Sequence, residues 1–132
     1  MLRLLRTSST PMPVDLRERN ILLSAVKRVF SRSQLRRGVL NKALSNRKGP
    51  RGGKMYICAL CKDHFPTSKV QVDHKDPVIP IGTAFKDMSW DVVIEQRLYC
   101  KPSNLQVVCT DCHKAKSKAE AKQRMKCRQQ NK

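Results

Sequence analysis

The fold is decided by two stretches of the chain, Val70-Gln-Val-Asp73-His74 and Asn104-Leu-Gln-Val-Val-Cys109-Thr-Asp-Cys112-His113-Lys-Ala-Lys116. Residues 70–73 alternate between apolar and polar side chains, as a half-buried strand does, and residues 105–108 are the antiparallel partner that we expect for it. From Asp111 through Lys126 the composition favours a helix, with alanine at three positions. Two strands followed by a helix indicate a small α+β unit.

Four cysteines frame this unit in two Cys-x-x-Cys pairs, Cys58/Cys61 and Cys109/Cys112. This spacing is typical of a zinc site, and four thiolates leave no open position on the ion, so we predict a structural zinc. A chain of 132 residues with 5% aromatics has a limited apolar core, which a structural metal commonly supplements. Cys100 and Cys127 are predicted to be ordinary thiols in a reducing cytosol.

Two other interpretations of the cysteines were considered. Cys109-Thr-Asp-Cys112-His113 also fits a haem-attachment motif, but that motif requires export and leaves Cys58 and Cys61 unexplained. His64, just past the first pair, is a lesser alternative ligand that we expect on the surface instead.

The two histidines and the aspartate beside these pairs suggest chemistry. A carboxylate and a histidine can hold a divalent cation, so Asp73, at a strand end, and His113, at a helix start, are candidate ligands of a Mg²⁺ or Mn²⁺ ion. His74 is the candidate general base, because imidazole can take a proton from water near neutral pH. Each residue also has a structural alternative. Asp73 could cap the loop that follows it, and His113 could simply be the residue next to the zinc ligand Cys112.

Charge is partitioned along the chain, whose net charge is +18. Residues 1–54 carry fourteen Lys and Arg against two acids, residues 55–112 six against seven, and residues 113–132 eight against one. A near-neutral centre with cationic flanks suits a protein that grips phosphates with its arms. We predict DNA contacts from eight cations: Arg36, Arg37, Arg47, Lys48, Arg51, Lys54, Lys114 and Lys116. Solvated tails would explain the composition but not its partition.

The N-terminal half is predicted to form a basic helical hairpin. Residues 1–13 should be extended or disordered, Asp15 should cap a first helix with apolar positions from Leu16 to Phe30, and Ser33 should open a second. The glycine-rich residues 46–54 are interpreted as a linker. Residues 75–103 form a long excursion in which we expect a short helix around Trp90–Leu98 and Trp90 as a core anchor.

The ordered motifs Asp73-His74, Asn104 and Cys112-His113 resemble the HNH endonuclease family, in particular compact phage-encoded members with a four-cysteine zinc site. The resemblance covers about residues 55–120. It implies a ββα-metal core, phosphodiester hydrolysis to 5′-phosphate and 3′-hydroxyl products, and an Asn104 that orients the catalytic histidine. A turn-forming role would explain Asn104 equally well.

These expectations divide the chain into a basic helical arm and linker (1–54), a nuclease core (55–120) and a basic tail (121–132). The expected activity is that of an endonuclease acting on double-stranded DNA, with a role in homing or packaging. The expected location is the cytoplasm, which would be the host cytoplasm if the chain is phage-encoded. The alternatives are a zinc-stapled nucleic-acid-binding module that does not cleave, and a nuclease for RNA or for branched or packaging-linked DNA. No apolar run approaches the roughly 18–20 residues of a membrane span.

Overall fold

The computed structural model describes residues 15–130, so the predicted extended segment 1–13 lies outside the described residues. The chain is a mixed α+β protein, as predicted, and the described residues form two small sheets. The helices are α1 (Leu16–Phe30), α2 (Gln34–Lys42) and α3 (Thr110–Gln130), and the strands are β1 (Leu44–Lys48), β2 (Lys54–Ile57), β3 (His64–Pro66), β4 (Val70–His74) and β5 (Leu105–Cys109). Within this part of the chain, no helix is long and apolar enough to cross a membrane.

The two N-terminal helices begin where their capping residues predict. The Asp15 carboxylate accepts a hydrogen bond from the Glu18 amide at 2.9 Å, and the Ser33 hydroxyl accepts one from the Arg36 amide at 3.2 Å. Each cap satisfies one of the amides that the first turn of a helix leaves without a partner.

The apolar face of α1 is narrower than predicted. Leu23 and Phe30 are buried in the core and Val26 packs against it. Leu22 and Val29, however, are 45% and 65% exposed. At about 100° per residue, positions 22 and 29 lie roughly 80–120° around the helix from positions 23 and 30, and position 26 lies between the two pairs. Leu22 and Val29 therefore lie outside the buried stripe of α1.

The predicted linker at residues 46–54 is also wrong. β1 pairs antiparallel with β2, with Leu44 opposite Tyr56 and Lys48 opposite Lys54. The glycines form the turn of this hairpin: the Gly49 amide donates to the Gly53 carbonyl at 2.8 Å, and Gly52 has a φ of 76°, which glycine adopts without strain. Because the hairpin crosses residue 54, the helical half and the cysteine-bearing half are joined by one sheet, ordered β1-β2-β3.

The second sheet is the predicted pair of strands. β4 and β5 run antiparallel, with Val70 opposite Cys109 and His74 opposite Leu105. α3 follows β5 without a loop and contacts both strands. Asp73 and His74 therefore lie at the far end of β4, and His113 lies in the first turn of α3.

The excursion between β4 and β5 contains the short helix expected around Trp90–Leu98, and Val92–Leu98 of it form a seven-residue π-helical segment. Trp90 packs against the core, as predicted, with its ring edge-on to Phe85 at 5.6 Å. The guanidinium of Arg19 on α1 lies 4.6 Å from the Phe85 ring centroid and donates to the Met88 carbonyl at 2.9 Å. The excursion and the first helix thus hold each other in place.

Candidate metal centre and histidine cleft

Cys58, Cys61, Cys109 and Cys112 come together between the β2–β3 turn and the start of α3. Their sulfur atoms all lie within 4.8 Å of one another, and the Sγ atoms of Cys61 and Cys109 are 3.9 Å apart. A tetrahedral ion with sulfur ligands at about 2.3 Å places its ligands about 3.8 Å apart, whereas a disulfide requires about 2.05 Å. The cluster is therefore positioned to hold a zinc-type metal ion, as the spacing predicts.

Backbone amides stabilise the thiolate form of Cys58 in this cluster. The Cys58 sulfur accepts hydrogen bonds from the amides of Cys61 at 3.5 Å and Cys109 at 3.3 Å. Burial raises the pKa of the Cys58 thiol, but these amides outweigh burial and lower it to about 6. The pKa of Cys112 is raised to about 12, chiefly by its interaction with the Cys109 side chain and then by burial. Thiolates packed this closely repel one another, and a bound cation relieves that repulsion.

The remaining cysteines and His64 lie outside this cluster. Cys100 packs against the apolar core and Cys127 lies near Gly82, and both are free thiols. The Nδ1 atom of His64 is 2.5 Å from the buried Ser45 hydroxyl, so this histidine links β3 to β1. His64 is thus half-buried and structural rather than the surface residue that we expected.

Asp73 and His113 are brought together in a second site, a cleft of about 420 Å³. The Asp73 Oδ1 atom lies 3.9 Å from the His113 Nε2 atom, and the Asp73 side chain is only 12% exposed. Two ligands of one magnesium-sized ion, each at about 2.1 Å, lie no more than about 4.2 Å apart. This pair is therefore close enough to share a divalent cation, and its role as a metal site remains a prediction.

His74 faces the same cleft with a defined tautomer. Its Nε2 atom lies 2.8 Å from the Leu98 carbonyl oxygen, which can only accept, so Nε2 carries the proton and Nδ1 keeps its lone pair. The ring packs against Phe30 of α1 at a centroid distance of 5.4 Å, and Phe30 in turn meets Tyr99 edge-on. Leu98 ends the π-helical segment, so the long excursion supplies the group that orients His74.

Asn104 clamps the loop that follows His74. Its side-chain oxygen accepts from the Asp76 amide at 2.9 Å, and its backbone carbonyl accepts from the Lys75 amide at 2.7 Å. Arg97 reinforces the same loop through an ion pair of 2.9 Å with the Asp76 carboxylate and a hydrogen bond to the Pro77 carbonyl. Asn104 thus braces the neighbourhood of His74 without entering the cleft.

Lys116 is placed differently from the prediction that it contacts DNA. Its ammonium donates to Asp73 Oδ2 at 3.2 Å and to the His74 carbonyl at 3.0 Å, and it forms an ion pair with Glu120. Burial lowers the pKa of Lys116, but the carboxylates of Glu120 and Asp73 outweigh burial and raise it above the ordinary lysine value. A phosphate contact would have to replace one of these three acceptors.

Glu120 is a cleft residue that the sequence analysis did not identify. The signal was its spacing: positions 113, 116 and 120 lie on one face of a helix, and Lys116 and Glu120 are an i,i+4 pair. The N-terminal helices also contribute cleft residues beyond the predicted Arg36, namely Lys27, Phe30 and Ser31.

The other predicted phosphate contacts lie on α2, on α3 and on the β1–β2 hairpin. Arg36 lines the cleft, Arg37 is exposed on α2, and Lys114 is exposed on the first turn of α3. The β1–β2 hairpin carries the rest as exposed side chains, namely Arg47, Lys48, Arg51 and Lys54. Contact of these residues with DNA remains a prediction.

Comparison of the chain with protein-family models, with curated proteins and with solved structures finds no match. The residues themselves therefore carry the functional argument.

Proposed function

We propose that this protein is a metal-dependent DNA endonuclease of the HNH type. The observation that carries the proposal is the pairing of Asp73 and His113 at 3.9 Å beside a histidine, His74, whose Nδ1 lone pair is free for proton transfer. The order of β4, β5 and α3 along the chain is also the order expected of the core of that family.

Asp73 and His113 would hold the divalent cation. The carboxylate of Asp73 is a ligand suited to Mg²⁺ or Mn²⁺, and the imidazole of His113 adds a nitrogen ligand of the kind that first-row transition metals favour. Two protein ligands would leave the other positions on the ion for phosphate oxygens and water. When bound, such an ion polarises the phosphate and neutralises charge on the departing 3′ oxygen.

His74 would take the proton from the attacking water at Nδ1. The Leu98 carbonyl accepts a hydrogen bond from Nε2–H, which fixes the ring orientation and stabilises the imidazolium after transfer. Phe30 covers one side of the ring and restricts its rotation. The expected products carry a 5′-phosphate and a 3′-hydroxyl group, because the water attacks phosphorus opposite the 3′ oxygen.

The cysteine cluster would hold structural zinc. Cys58 is fully buried and Cys109 is 4% exposed, and Cys112 directly precedes His113. A zinc ion bound there would fix the start of α3 relative to the sheets and thereby fix His113. Four sulfur ligands leave no position for water, so this ion would take no part in the reaction.

The substrate assignment to double-stranded DNA rests on charge. Lys27 and Arg36 line the cleft on the side of the N-terminal helices, and the β1–β2 hairpin carries four further exposed cations. Contacts of this kind bind the phosphate backbone without reading bases, so affinity should fall steeply with salt.

A plasmid assay tests the proposal. Zinc-loaded protein should nick or linearise supercoiled plasmid with Mg²⁺ or Mn²⁺ and should lose that activity in EDTA. His74→Ala should lower the rate by on the order of 10²–10⁴, whereas the control variant His64→Ala, outside the cleft, should retain the rate if it folds. DNA binding that needs no divalent ion and gives no product would contradict the proposal and favour the non-cleaving binding module.

A further inference from the structure

Lys116 is a cation fixed by the protein beside the candidate metal ligand Asp73. Its ammonium has three hydrogen-bond donors, and each has an oxygen acceptor: Asp73 Oδ2 at 3.2 Å, the His74 carbonyl at 3.0 Å and the Glu120 carboxylate. The Lys116 side chain is 20% exposed, so solvent screens this charge only in part. The position of the ammonium is therefore determined by the fold.

The two oxygens of Asp73 face different partners. Oδ1 faces the Nε2 atom of His113 at 3.9 Å. Oδ2 receives Lys116 and, at 3.1 Å, the side-chain amide of Gln106. A divalent ion on the Oδ1 side would therefore share one carboxylate with an ammonium that is already in place.

We infer that Lys116 weakens the binding of divalent cations at Asp73 and His113, so that the protein without substrate holds its catalytic ion loosely. This inference rests on the metal site proposed above. Charges of +2 and +1 a few ångströms apart repel each other enough to change a binding constant at least about tenfold, even at the dielectric constant of water. A substrate phosphate near the ion would offset this repulsion, which ties firm metal binding to the presence of DNA.

The test is a Mn²⁺ titration of the full-length, zinc-loaded protein without DNA, with free Mn²⁺ measured by electron paramagnetic resonance. Lys116→Gln should bind Mn²⁺ at least about tenfold more tightly than the parent protein. The matched control is Lys118→Gln, which removes the same charge from an exposed position on the same helix and should change the affinity less than twofold. Asp73→Asn, in either background, identifies the site by abolishing binding.

The outcomes separate this inference from the proposed function. If Mn²⁺ binding depends on Asp73 but Lys116→Gln behaves like Lys118→Gln, the inference is wrong and the proposed metal site stands. If neither the parent nor Lys116→Gln shows Asp73-dependent binding, the metal site itself is wrong.

A second variant covers the case in which Lys116→Gln does not fold, as judged by circular dichroism and zinc content. Glu120→Gln removes the carboxylate that shares the ammonium and leaves Lys116 to Asp73. Mn²⁺ binding should then weaken several-fold relative to the parent, and an unchanged affinity would overturn the inference.

Discussion

Replacing Phe30 with alanine should destabilise the whole protein rather than loosen one arm of it. The Phe30 side chain is 6% exposed, lies in the core cluster, and contacts the rings of both His74 and Tyr99. Truncation of a buried phenylalanine costs about 3–5 kcal/mol, because it removes apolar contact and leaves a cavity. That is a large share of the roughly 5–15 kcal/mol by which a domain of this kind is stable.

The measurements are urea unfolding and thermal unfolding of the zinc-loaded protein, both followed by circular dichroism. Phe30→Ala should lower the unfolding free energy by about 3–5 kcal/mol and the melting temperature by roughly 10–20 °C. Val29→Ala, one residue earlier on the same helix but 65% exposed, should change the unfolding free energy by less than about 0.5 kcal/mol.

The same pair of variants decides whether α1 belongs to the folding unit. Phe30→Ala could instead lower the unfolding free energy by less than about 1 kcal/mol, as Val29→Ala is expected to do. In that case α1 would not belong to the cooperative folding unit, and the packing of Phe30 on His74 would not stabilise the protein. The folded Phe30→Ala protein should also cleave more slowly than the Val29→Ala protein, since the His74 ring loses its neighbour.

Three further predictions concern the metal cluster, the hairpin and the loop clamp. Elemental analysis should find one zinc per chain, and folded parent protein without zinc would contradict this. Cys58→Ser should fail to fold, as measured by circular dichroism. Neutralising Arg47, Lys48 and Arg51 together should weaken DNA binding. It should also lower the slope of log affinity against log salt concentration by up to about 2.7. An unchanged slope would show that the hairpin does not contact phosphates. Asn104→Ala should lower the cleavage rate while leaving the zinc content unchanged, because it frees the backbone of Asp76; a parental rate would show that the clamp is dispensable.

The parts of the fold that sequence could predict are those set by local or short-range rules. The caps at Asp15 and Ser33 act within one helical turn, and the spacing of the cysteine pairs reflects the geometry of one ion. The alternation of residues 70–73 predicts the strand β4, and the expected pairing with residues 105–108 is confirmed. The caps, the cysteine pairs and the alternation can each be read within a few residues.

The remaining features depend on partners distant in the chain. β1 has no alternation of apolar residues, and only Ser45 in it is buried, so pairing with β2 rather than its own sequence makes it a strand. Arg19 and Lys116 look like ordinary surface cations in the sequence. Their placement follows from acceptors that the fold brings near: the loop at residues 85–88 for Arg19, and Asp73 for Lys116.

The hydrogen bond between His74 and Leu98 depends on the number of residues in Val92–Leu98 and not on which side chain stands at position 98. The acceptor is a main-chain carbonyl, so every side chain that fits the core at position 98 keeps it. Insertion or deletion of one residue within Val92–Leu98, in contrast, would turn that carbonyl around the helix axis, away from the imidazole. Among homologues, substitutions should therefore accumulate at the exposed positions Glu95 and Gln96 while the number of residues in the segment stays constant.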